Sequence, residues 1–305
     1  MDKPTRMPAS SDFVSQTTRS QSGPSKVYRF IRRWPLIPGA IIVTLVVAGM
    51  FAPWVAPDSP TAAVLRDRNT PPMWMAGGSS DNILGADQQG RDILSRTIHG
   101  ARITLIIAGT ALIIGGTVGV TLGMISGYYG GIVDEIIMRI IDVKLAIPLI
   151  LVALAVVITI GQSFPILVGI LAVNAWSGFA RQVRGETLKV KELDYIAFAR
   201  ILDASDRRIF VKHIFPGVVS TVIVIATLQV GGLILTEAIL SFLGAGIPPP
   251  TPAWGSMVSE GRQYLGTAWW VSVFPGLAIF LTVFAFNFIG DWIRDRLDPR
   301  LRQLD

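Results

Sequence analysis

The sequence predicts an all-α integral membrane protein with six transmembrane helices. Hydrophobic residues make up 51% of the 305-residue chain and charged residues only 16%, and the mean hydropathy is +0.53. Soluble domains average about 25% charged residues. Long apolar runs recur along the chain, most of them near the roughly 20 residues that a helix needs to span a bilayer. The predicted spans are residues 36–56, 103–126, 145–160, 164–180, 216–243 and 268–290.

The first 35 residues and the last 15 predict polar tails on either side of these spans. Residues 1–35 are basic and rich in Ser and Thr, so they have too little apolar surface to offset the entropy of ordering. A cleaved signal peptide is the alternative for 36–56, but the long basic lead-in and the span-length apolar run favour an uncleaved anchor. The polar segment 57–102 then leads to a five-span core, 103–290, and the second tail is 291–305.

Small and polar residues inside the spans predict contacts between helices. Glycines recur every four residues from Gly115 to Gly131, and this spacing places them on one stripe of a helix. Such a stripe lets helices approach closely, and packing within the chain is favoured over contact with another subunit. The short turn at 161–165 predicts an antiparallel hairpin of spans three and four. Asn174 is expected to form an interhelical hydrogen bond, with a role in a pore as the alternative.

No combination of residues in the sequence predicts an enzyme. Cysteine is absent, which excludes disulfides, thiolate metal sites and a catalytic thiol. A nucleotide-binding P-loop requires a Gly-Lys pair, and the chain contains none. The histidines, His99 and His213, fall in different connections and cannot form one site. We therefore predict neither catalytic residues nor a metal site.

The distribution of basic residues predicts the orientation. Six spans place both termini on one side, together with the 181–215 loop, and that side carries 21 of the 27 Lys and Arg residues. The opposite side carries 6. The positive-inside rule then places both termini and the 181–215 loop in the cytoplasm, and 57–102 outside the cell.

The end of the 57–102 segment combines charged residues with glycines. It reads L-G-A-D-Q-Q-G-R-D-I-L-S-R from position 84 and G-A-R from position 100. This closely resembles the motif L-G-T-D-x-x-G-R-D-x-x-S-R-x-x-x-G-x-R of the ABC permeases that import peptides and nickel, with Ala86 in place of Thr. The resemblance implies functional roles for Asp87, Gly90, Arg91, Asp92, Ser95 and Arg96.

Three further regions resemble motifs of the same class. Met138-Arg139 with Asp142 and Pro148 is similar to M-R-x-x-D-x-x-x-A-x-P. Residues 237–255, which begin with Glu237, resemble E-A-x-L-S-F-L-G followed by P-P-x-P-x-W-G. Residues 290–300 resemble G-D-x-x-R-D-x-L-D-P-R. Asp142 and Glu237 are therefore added to the candidate residues.

The 181–215 loop is charged, helix-compatible and flanked by two spans. It resembles the EAA loop by which ABC-importer permeases dock on their ATPase subunits, although the Glu and the Gly of that pattern are replaced. The coupling residues that the resemblance implies are Ala197, Phe198, Ala199, Ile201, Asp203, Ser205, Asp206 and Pro216. Ala199 and Ile201 are expected on the docking face.

Together the motifs cover roughly residues 30–300 and imply a type I ABC-importer permease fold with its coupling loop between spans four and five. The implied function is ATP-driven uptake of di- or oligopeptides across the plasma (inner) membrane of a bacterium or archaeon. The implied partners are a second homologous permease, two cytoplasmic ATPase subunits that bind ATP and Mg²⁺, and an extracytoplasmic solute-binding protein. No cofactor is expected on this chain.

Two other functions remain as alternatives, besides import of nickel or another small solute by the same class. A stand-alone secondary transporter would need ionisable residues near the membrane midplane, and only Glu237, near the outer end of span five, is a candidate. A structural scaffold would leave the motifs unexplained.

Local rules add three expectations for charged residues. Asp92 and Arg96 are four apart and should pair on a helix. Glu237 should act as a structural lock, with Arg262 as a candidate partner. Asp203 should occupy a turn with positive φ and cap a short helix that starts at residue 204.

Overall fold

The computed structural model describes residues 35–297, and within this range the regular elements are helices, joined by turns and irregular segments that include one isolated β-bridge between Ala86 and Asp92. Residues 1–34 and 298–305, which hold most of the two predicted tails, lie outside it. The helices are α1 (Leu36–Met50), α2 (Ala52–Val55), α3 (Ile93–Tyr129), α4 (Gly131–Ala146), α5 (Leu149–Ile160), α6 (Phe164–Val190), α7 (Asp194–Ile201), α8 (Asp206–Ile209), α9 (Phe215–Phe242), α10 (Trp254–Gly261) and α11 (Trp270–Leu297). A π-helical turn, Phe210–Ile214, joins α8 to α9.

Four helices of the described chain are long and apolar enough to cross a membrane, namely α3, α6, the continuous α8–α9 segment and α11. α4 and α5 together form a fifth candidate, although the chain bends by 80° between them. The apolar helix α1 has only 15 residues. The predicted helical membrane protein is therefore confirmed with four or five spans, and the full count of six stays a prediction.

Two of the helices, α3 and α6, extend further than the apolar runs that predicted them. The second span was expected to begin at residue 103, but α3 begins at Ile93, because the carboxylate of Asp92 accepts a hydrogen bond from the Ser95 amide at 2.7 Å and caps the helix. The fourth span was expected to end at residue 180, but α6 continues to Val190. Hydropathy marks only the apolar part of a helix, and polar residues continue the helix beyond it.

The glycines of α3 form a seam against α6, and this is the most extensive helix–helix contact of the chain. A Cβ added at Gly115, Gly119, Gly123 or Gly127 would clash with atoms of α6, in all four cases with a backbone carbonyl oxygen less than 3 Å away. Packing within the chain is therefore confirmed for these four. Gly131 lies beyond the end of α3, and a Cβ added there would meet nothing within 4 Å.

Helix α4 meets α6 in antiparallel order, whereas α5 is bent by 80° from α4, so the hairpin predicted at residues 161–165 stays a prediction. Near the start of α4, Arg184 of α6 contacts Asp134 of α4 through two hydrogen bonds of 2.5 Å. Near the end of α4, Lys144 Nζ donates to Asn174 Oδ1 at 3.0 Å. The expected interhelical hydrogen bond of Asn174 is thus present. Helix α9 packs on α3, α6 and α11, and α10 packs on α9 and α11.

The glycine seam predicts a strong position dependence of substitution along α3. Gly119→Ala places a methyl group against the carbonyl of Trp176, so we expect it to separate the helices and cost about 1–3 kcal/mol, the usual penalty of overpacking. Gly109→Ala on the same helix meets nothing within 4 Å and is the matched control. Thermal unfolding of the two variants in detergent measures the difference, and equal midpoints would contradict the packing.

Candidate functional site

The residues that the motifs singled out gather mainly at two ends of the bundle. Helix α3 has 37 residues and is therefore roughly 55 Å long. The motif at 84–102 surrounds its first turns, and the side chains of Tyr128 and Tyr129 in its last turn contact the segment around α8. The two groups are therefore separated by the length of α3.

At the start of α3, two carboxylates and two guanidinium groups form a compact network, which we call the arginine clamp: Asp87, Arg91, Arg96 and Glu260. Oδ2 of Asp87 accepts from Arg91 Nε at 2.6 Å and from Arg96 Nη1. Oε2 of Glu260 accepts from Arg91 Nη2 at 2.7 Å and from Arg96 Nη1 at 3.1 Å. The side chain of Asp87 is 0% exposed and that of Glu260 is 24% exposed. Buried charges of this kind require partners, and each of the four residues here has two of opposite charge, although Arg96 Nε has no hydrogen-bond partner among the described residues.

The clamp joins three parts of the chain. Asp87 and Arg91 belong to the segment before α3, Arg96 to the first turn of α3, and Glu260 to α10. Asp87 Oδ1 also accepts from the amides of Gln89 and Arg91 and so closes the turn that precedes the helix. Breaking the clamp would therefore release the segment before α3 from α10.

Two small residues of the motif, Gly90 and Ser95, allow the close contacts around the turn before α3. Gly90 has φ of +73°, a region that favours glycine, and a Cβ there would clash with the carbonyl of Val64. Ser95 is fully buried, and its hydroxyl accepts from the Asp58 amide at 2.9 Å. These contacts position the loop that precedes the clamp.

Asp92 does not pair with Arg96, so that prediction is wrong. Its carboxylate caps α3, and burial raises the pKa of Asp92 while the hydrogen bonds from Ser95 oppose the shift. Side chains on a helix point toward its N-terminus, which directs Arg96 back to Asp87.

Glu260 was missed at the sequence level. Buried arginines require a carboxylate partner. The one signal in the sequence was that Glu260 is the only acidic residue between Glu237 and Asp291.

Two tryptophans fix the same segment. Trp254 Nε1 donates to the carbonyl of Thr97 at 2.8 Å, and Trp270 Nε1 donates to the carbonyl of Ala86 at 3.1 Å. Both side chains are almost fully buried. The motif is therefore tied to α10 and to α11 by hydrogen bonds as well as by charge.

Glu237 is buried in α9, and its predicted pairing with Arg262 is wrong. Ser241 Oγ, one turn further along α9, donates to Glu237 Oε1 at 2.6 Å. The second carboxyl oxygen has no partner among the described residues. The Arg262 guanidinium lies instead over the ring of Phe242, 5.7 Å from its centroid. Ser241 lies one helical turn from Glu237, so their hydrogen bond forms within α9 and needs no contact with another element.

At the other end of the bundle, α7 presents apolar side chains to its surroundings. We call Ala197, Phe198, Ile201 and Leu202 the α7 surface. Phe198 is 65% exposed, Ile201 77% and Leu202 80%. The opposite side of α7 is anchored by Ile196, which is 0% exposed. Ala199 also packs toward the core of the chain, so only Ile201 of the two expected docking residues lies on the exposed face.

The turn after α7 is closed by backbone hydrogen bonds. Asp203 has φ of +55°, as predicted for the position where the family pattern has Gly. The amide of Ala204 donates to the carbonyl of Ala199, and the amide of Asp203 donates to that of Arg200. This is the Schellman arrangement that ends a helix. The predicted capping role of Asp203 is wrong, because α8 begins at Asp206 with Ser205 as its N-cap, and no side chain caps it.

Asp206 links the α7–α8 region to α3. Its carboxylate accepts from the hydroxyls of Tyr128 at 2.7 Å and Tyr129 at 3.5 Å. The Arg200 guanidinium lies 5.2 Å from the centroid of the Tyr128 ring. Pro216 is the second residue of α9, which directly follows the π-helical turn, so the backbone amide that proline lacks coincides with an irregular point of the continuous helical segment.

Asp142 contributes little to the packing of α4. It accepts from Arg181 Nη2 at 2.8 Å, and both side chains are more than half exposed. Exposed pairs contribute about 0–1 kcal/mol. Within residues 35–297 no group of His, Asp and Glu side chains has the arrangement of a metal site.

Because the clamp is buried, removing one carboxylate should be severe. Asp87→Asn leaves two buried guanidinium groups facing Glu260 alone, and we expect it to cost about 3–5 kcal/mol. Asp142→Asn removes an exposed carboxylate and is the control, with an expected cost of at most about 1 kcal/mol. Folded yield and thermal unfolding in detergent report both, and a mild effect of Asp87→Asn would show that the clamp contributes little.

The turn at Asp203 allows a second comparison. Asp203→Gly removes the Cβ from a left-handed conformation, so stability should stay equal or rise slightly. Asp203→Ala retains the Cβ without a polar group that favours this region, and we expect a cost of about 1 kcal/mol. The thermal unfolding midpoints of the two variants show which one is more stable. A more stable Ala variant would mean that residue 203 does not keep its positive φ.

Comparison with known proteins places this architecture in a family. The family described as "Binding-protein-dependent transport system inner membrane component" matches residues 119–303. The glutathione transport system permease protein GsiD of Pectobacterium atrosepticum is 43% identical over 90% of each chain. The di/tripeptide transport system permease protein DppC of Pseudomonas aeruginosa is 38% identical over 87% of this chain and 88% of that one.

A solved structure shares the fold. An inward-facing form of the MetNI methionine ABC transporter superposes with a TM-score of 0.55 at 20% identity, covering 66% of this chain and 96% of that chain. The type I permease fold implied by the sequence motifs is thereby confirmed. Members of the family are permease subunits that work with ATPases and binding proteins and are not themselves catalytic. The chain belongs to this family of binding-protein-dependent inner membrane components, as a multi-pass permease subunit of an ABC importer.

Proposed function

We propose that this permease forms, with a second homologous permease, the pathway for ATP-driven uptake of di- or oligopeptides delivered by a solute-binding protein. The observation that carries the proposal is similarity along almost the whole chain to permeases named for glutathione and for di- and tripeptides. Both names describe short peptides. Nickel or another small solute is the second candidate, because the 84–102 motif resembles that of permeases for either cargo.

The partners follow from what this chain lacks. Two ATPase subunits in the cytoplasm bind ATP and Mg²⁺, because the sequence has no P-loop lysine. Both termini lie in the cytoplasm of the bacterial or archaeal cell, in accordance with the excess of basic residues on that side. The arginine clamp then lies outside the cell, where the binding protein delivers its cargo.

The α7 surface is the docking site for an ATPase subunit. Its three large apolar side chains are at least 65% exposed on a short helix that also carries charge, and exposed apolar clusters of this kind are typical of protein interfaces. The arginines Arg200, Arg207 and Arg208 flank it. Docking would cover the apolar side chains and leave these charges at the rim.

Movement of the docked surface has a direct route into the membrane. Helix α8, the π-turn and α9 form one continuous helical segment of 37 residues, Asp206–Phe242. The carboxylate of Asp206, in the first turn of that segment, also bonds to the end of α3. A displacement of α7 by the ATPases therefore moves α9 and α3 together, and differential contact in the two ATPase states would bias the opening of the pathway.

Uptake of defined cargo tests the proposal. The chain is reconstituted in proteoliposomes with its second permease, its ATPase subunits and its binding protein. ATP-dependent accumulation of labelled glutathione or dialanine supports the proposal. Accumulation of nickel chelate without peptide overturns the peptide assignment, and accumulation that does not require ATP overturns the ABC mechanism.

Two substitutions separate docking from folding. Ile201→Arg places a charge on an exposed position, so we expect normal folded yield but loss of ATPase co-purification and at least about tenfold slower uptake, corresponding to 1.4 kcal/mol or more of docking energy. Ala199→Arg forces a charge against the core, so folded yield itself should fall. Normal uptake by the Ile201→Arg transporter would contradict docking at the α7 surface.

A further inference from the structure

Lys144 is one of the 21 basic residues that the sequence assigned to the cytoplasmic side, but its side chain lies against the membrane-spanning helix α6. Its ammonium group contacts Asn174 and Ser177 of α6. Asn174 lies ten residues after the start of α6 at Phe164, so it is roughly 15 Å along the helix, near the middle of a bilayer core of about 30 Å. Charges at this depth are costly unless they are paired or hydrated, and they commonly mark a transport pathway.

All the hydrogen bonds of this ammonium group go to neutral oxygens. Nζ donates to Asn174 O at 3.2 Å, to Asn174 Oδ1 at 3.0 Å and to Ser177 Oγ at 3.0 Å. The neighbouring carboxylates are already engaged, Asp142 by Arg181 and Asp134 by Arg184. Within residues 35–297 Lys144 has no anionic partner, so its positive charge is solvated but not neutralised by this part of the chain.

The chain is broken beside this cation. Helix α4 ends at Ala146, α5 begins at Leu149, and the bend between them is 80°. The connecting residues Ile147 and Pro148 are exposed. A break in a helix at membrane depth leaves backbone groups without helical partners, and these cannot face lipid. In the assembled transporter the break therefore faces a water-filled pathway or another protein chain.

The donors at this point match a carboxylate. Lys144 and Asn174 are both only partly buried and therefore reachable. The Asn174 carboxamide nitrogen donates to no described residue. Lys144 can also give up its hydrogen bond to Asn174 O, because Ser177 Oγ donates to the same carbonyl at 3.2 Å. Lys144 and Asn174 can therefore each donate one N–H to the two oxygens of a single carboxylate. A hydrogen bond between an ammonium group and a carboxylate is stronger than one between neutral groups.

We propose that Lys144 and Asn174, at the break between α4 and α5, form a binding site for the C-terminal carboxylate of the transported peptide. This assignment rests on the proposed peptide uptake and names where the pathway holds its cargo. A lipid headgroup is a poor alternative because headgroups lie at the surfaces of the bilayer. A carboxylate of the partner permease is the competing anion, and the experiment distinguishes it.

Asn174→Asp is the decisive variant. It gives Lys144 an anionic partner within the chain, so the protein and the permease pair should fold and assemble at least as well as the parent. The same carboxylate neutralises the site and repels a peptide carboxylate, so ATP-dependent uptake of dialanine should fall by about tenfold or more, the effect of losing one charge-assisted bond. Parent-like uptake by this variant would overturn the proposal.

The absence of cysteine from the chain supplies a second test. Lys144→Cys should lose most uptake, and modification with an aminoethyl methanethiosulfonate, which restores a cation of similar length, should recover it. The neutral methyl reagent should not. Saturating dialanine with its binding protein should slow the modification, and the cysteine-free parent treated in the same way controls for thiols on the partners.

The remaining outcomes each decide against the site. Equal recovery with the neutral reagent would mean that charge is not required. Loss of co-purification of the second permease in the Lys144→Cys variant, restored by the aminoethyl group, would assign the ammonium to a carboxylate of that partner. A parent transporter that moves no peptide overturns the proposed function and this site together, whereas peptide uptake that is indifferent to both variants overturns the site alone.

Discussion

The close approach of α3 and α6 is the constraint on which the rest of the structure depends. Four glycines let the backbone of α3 lie against carbonyl groups of α6, an approach that side chains would prevent. In a membrane, apolar side chains gain little from leaving lipid, so close backbone contact supplies much of the attraction between helices. This pair then packs against α9 and against the bent α4–α5 segment. A shift in the seam would displace both ends of α3, and with them both candidate sites.

The polar groups at the two ends of α3 differ in how strongly they bind. The arginine clamp is buried, and each of its charges is held by more than one partner, so it acts as a rigid attachment of the 84–92 segment to α10. At the opposite end, Asp206 joins α8 to α3 through exposed tyrosine hydroxyls. Exposed contacts of this kind form and break at little cost. The architecture therefore combines a rigid end with an adjustable one, which suits a subunit that receives movement at one end and controls access at the other.

Two features are incomplete in a single chain. The α7 surface leaves large apolar side chains in contact with solvent, and Lys144, beside the spanning helix α6, has no anionic partner within residues 35–297. Each is unfavourable in isolation, and each becomes favourable when a group of the right chemistry is added: an apolar cleft for the first, a carboxylate for the second. The same physical argument, that unpaired groups indicate missing partners, thus connects the docking of ATPases with the recognition of cargo. Glu237, whose second oxygen lacks a partner among the described residues, differs because it is almost fully buried.

The sequence by itself determined the class of the protein, because hydropathy and the positions of Gly and Pro depend on local chemistry. It predicted the apolar helices, the glycine seam, the positive φ of Asp203 and, through motif resemblance, the family. Only the tertiary structure decided which charges meet. Asp92 and Arg96 have the spacing of a helical pair, yet Arg96 binds Asp87 and Glu260, the latter 164 residues away along the chain. Arg262 lies over Phe242 and not beside Glu237. Ion pairing depends on which elements pack together, and residue spacing along the chain does not record that.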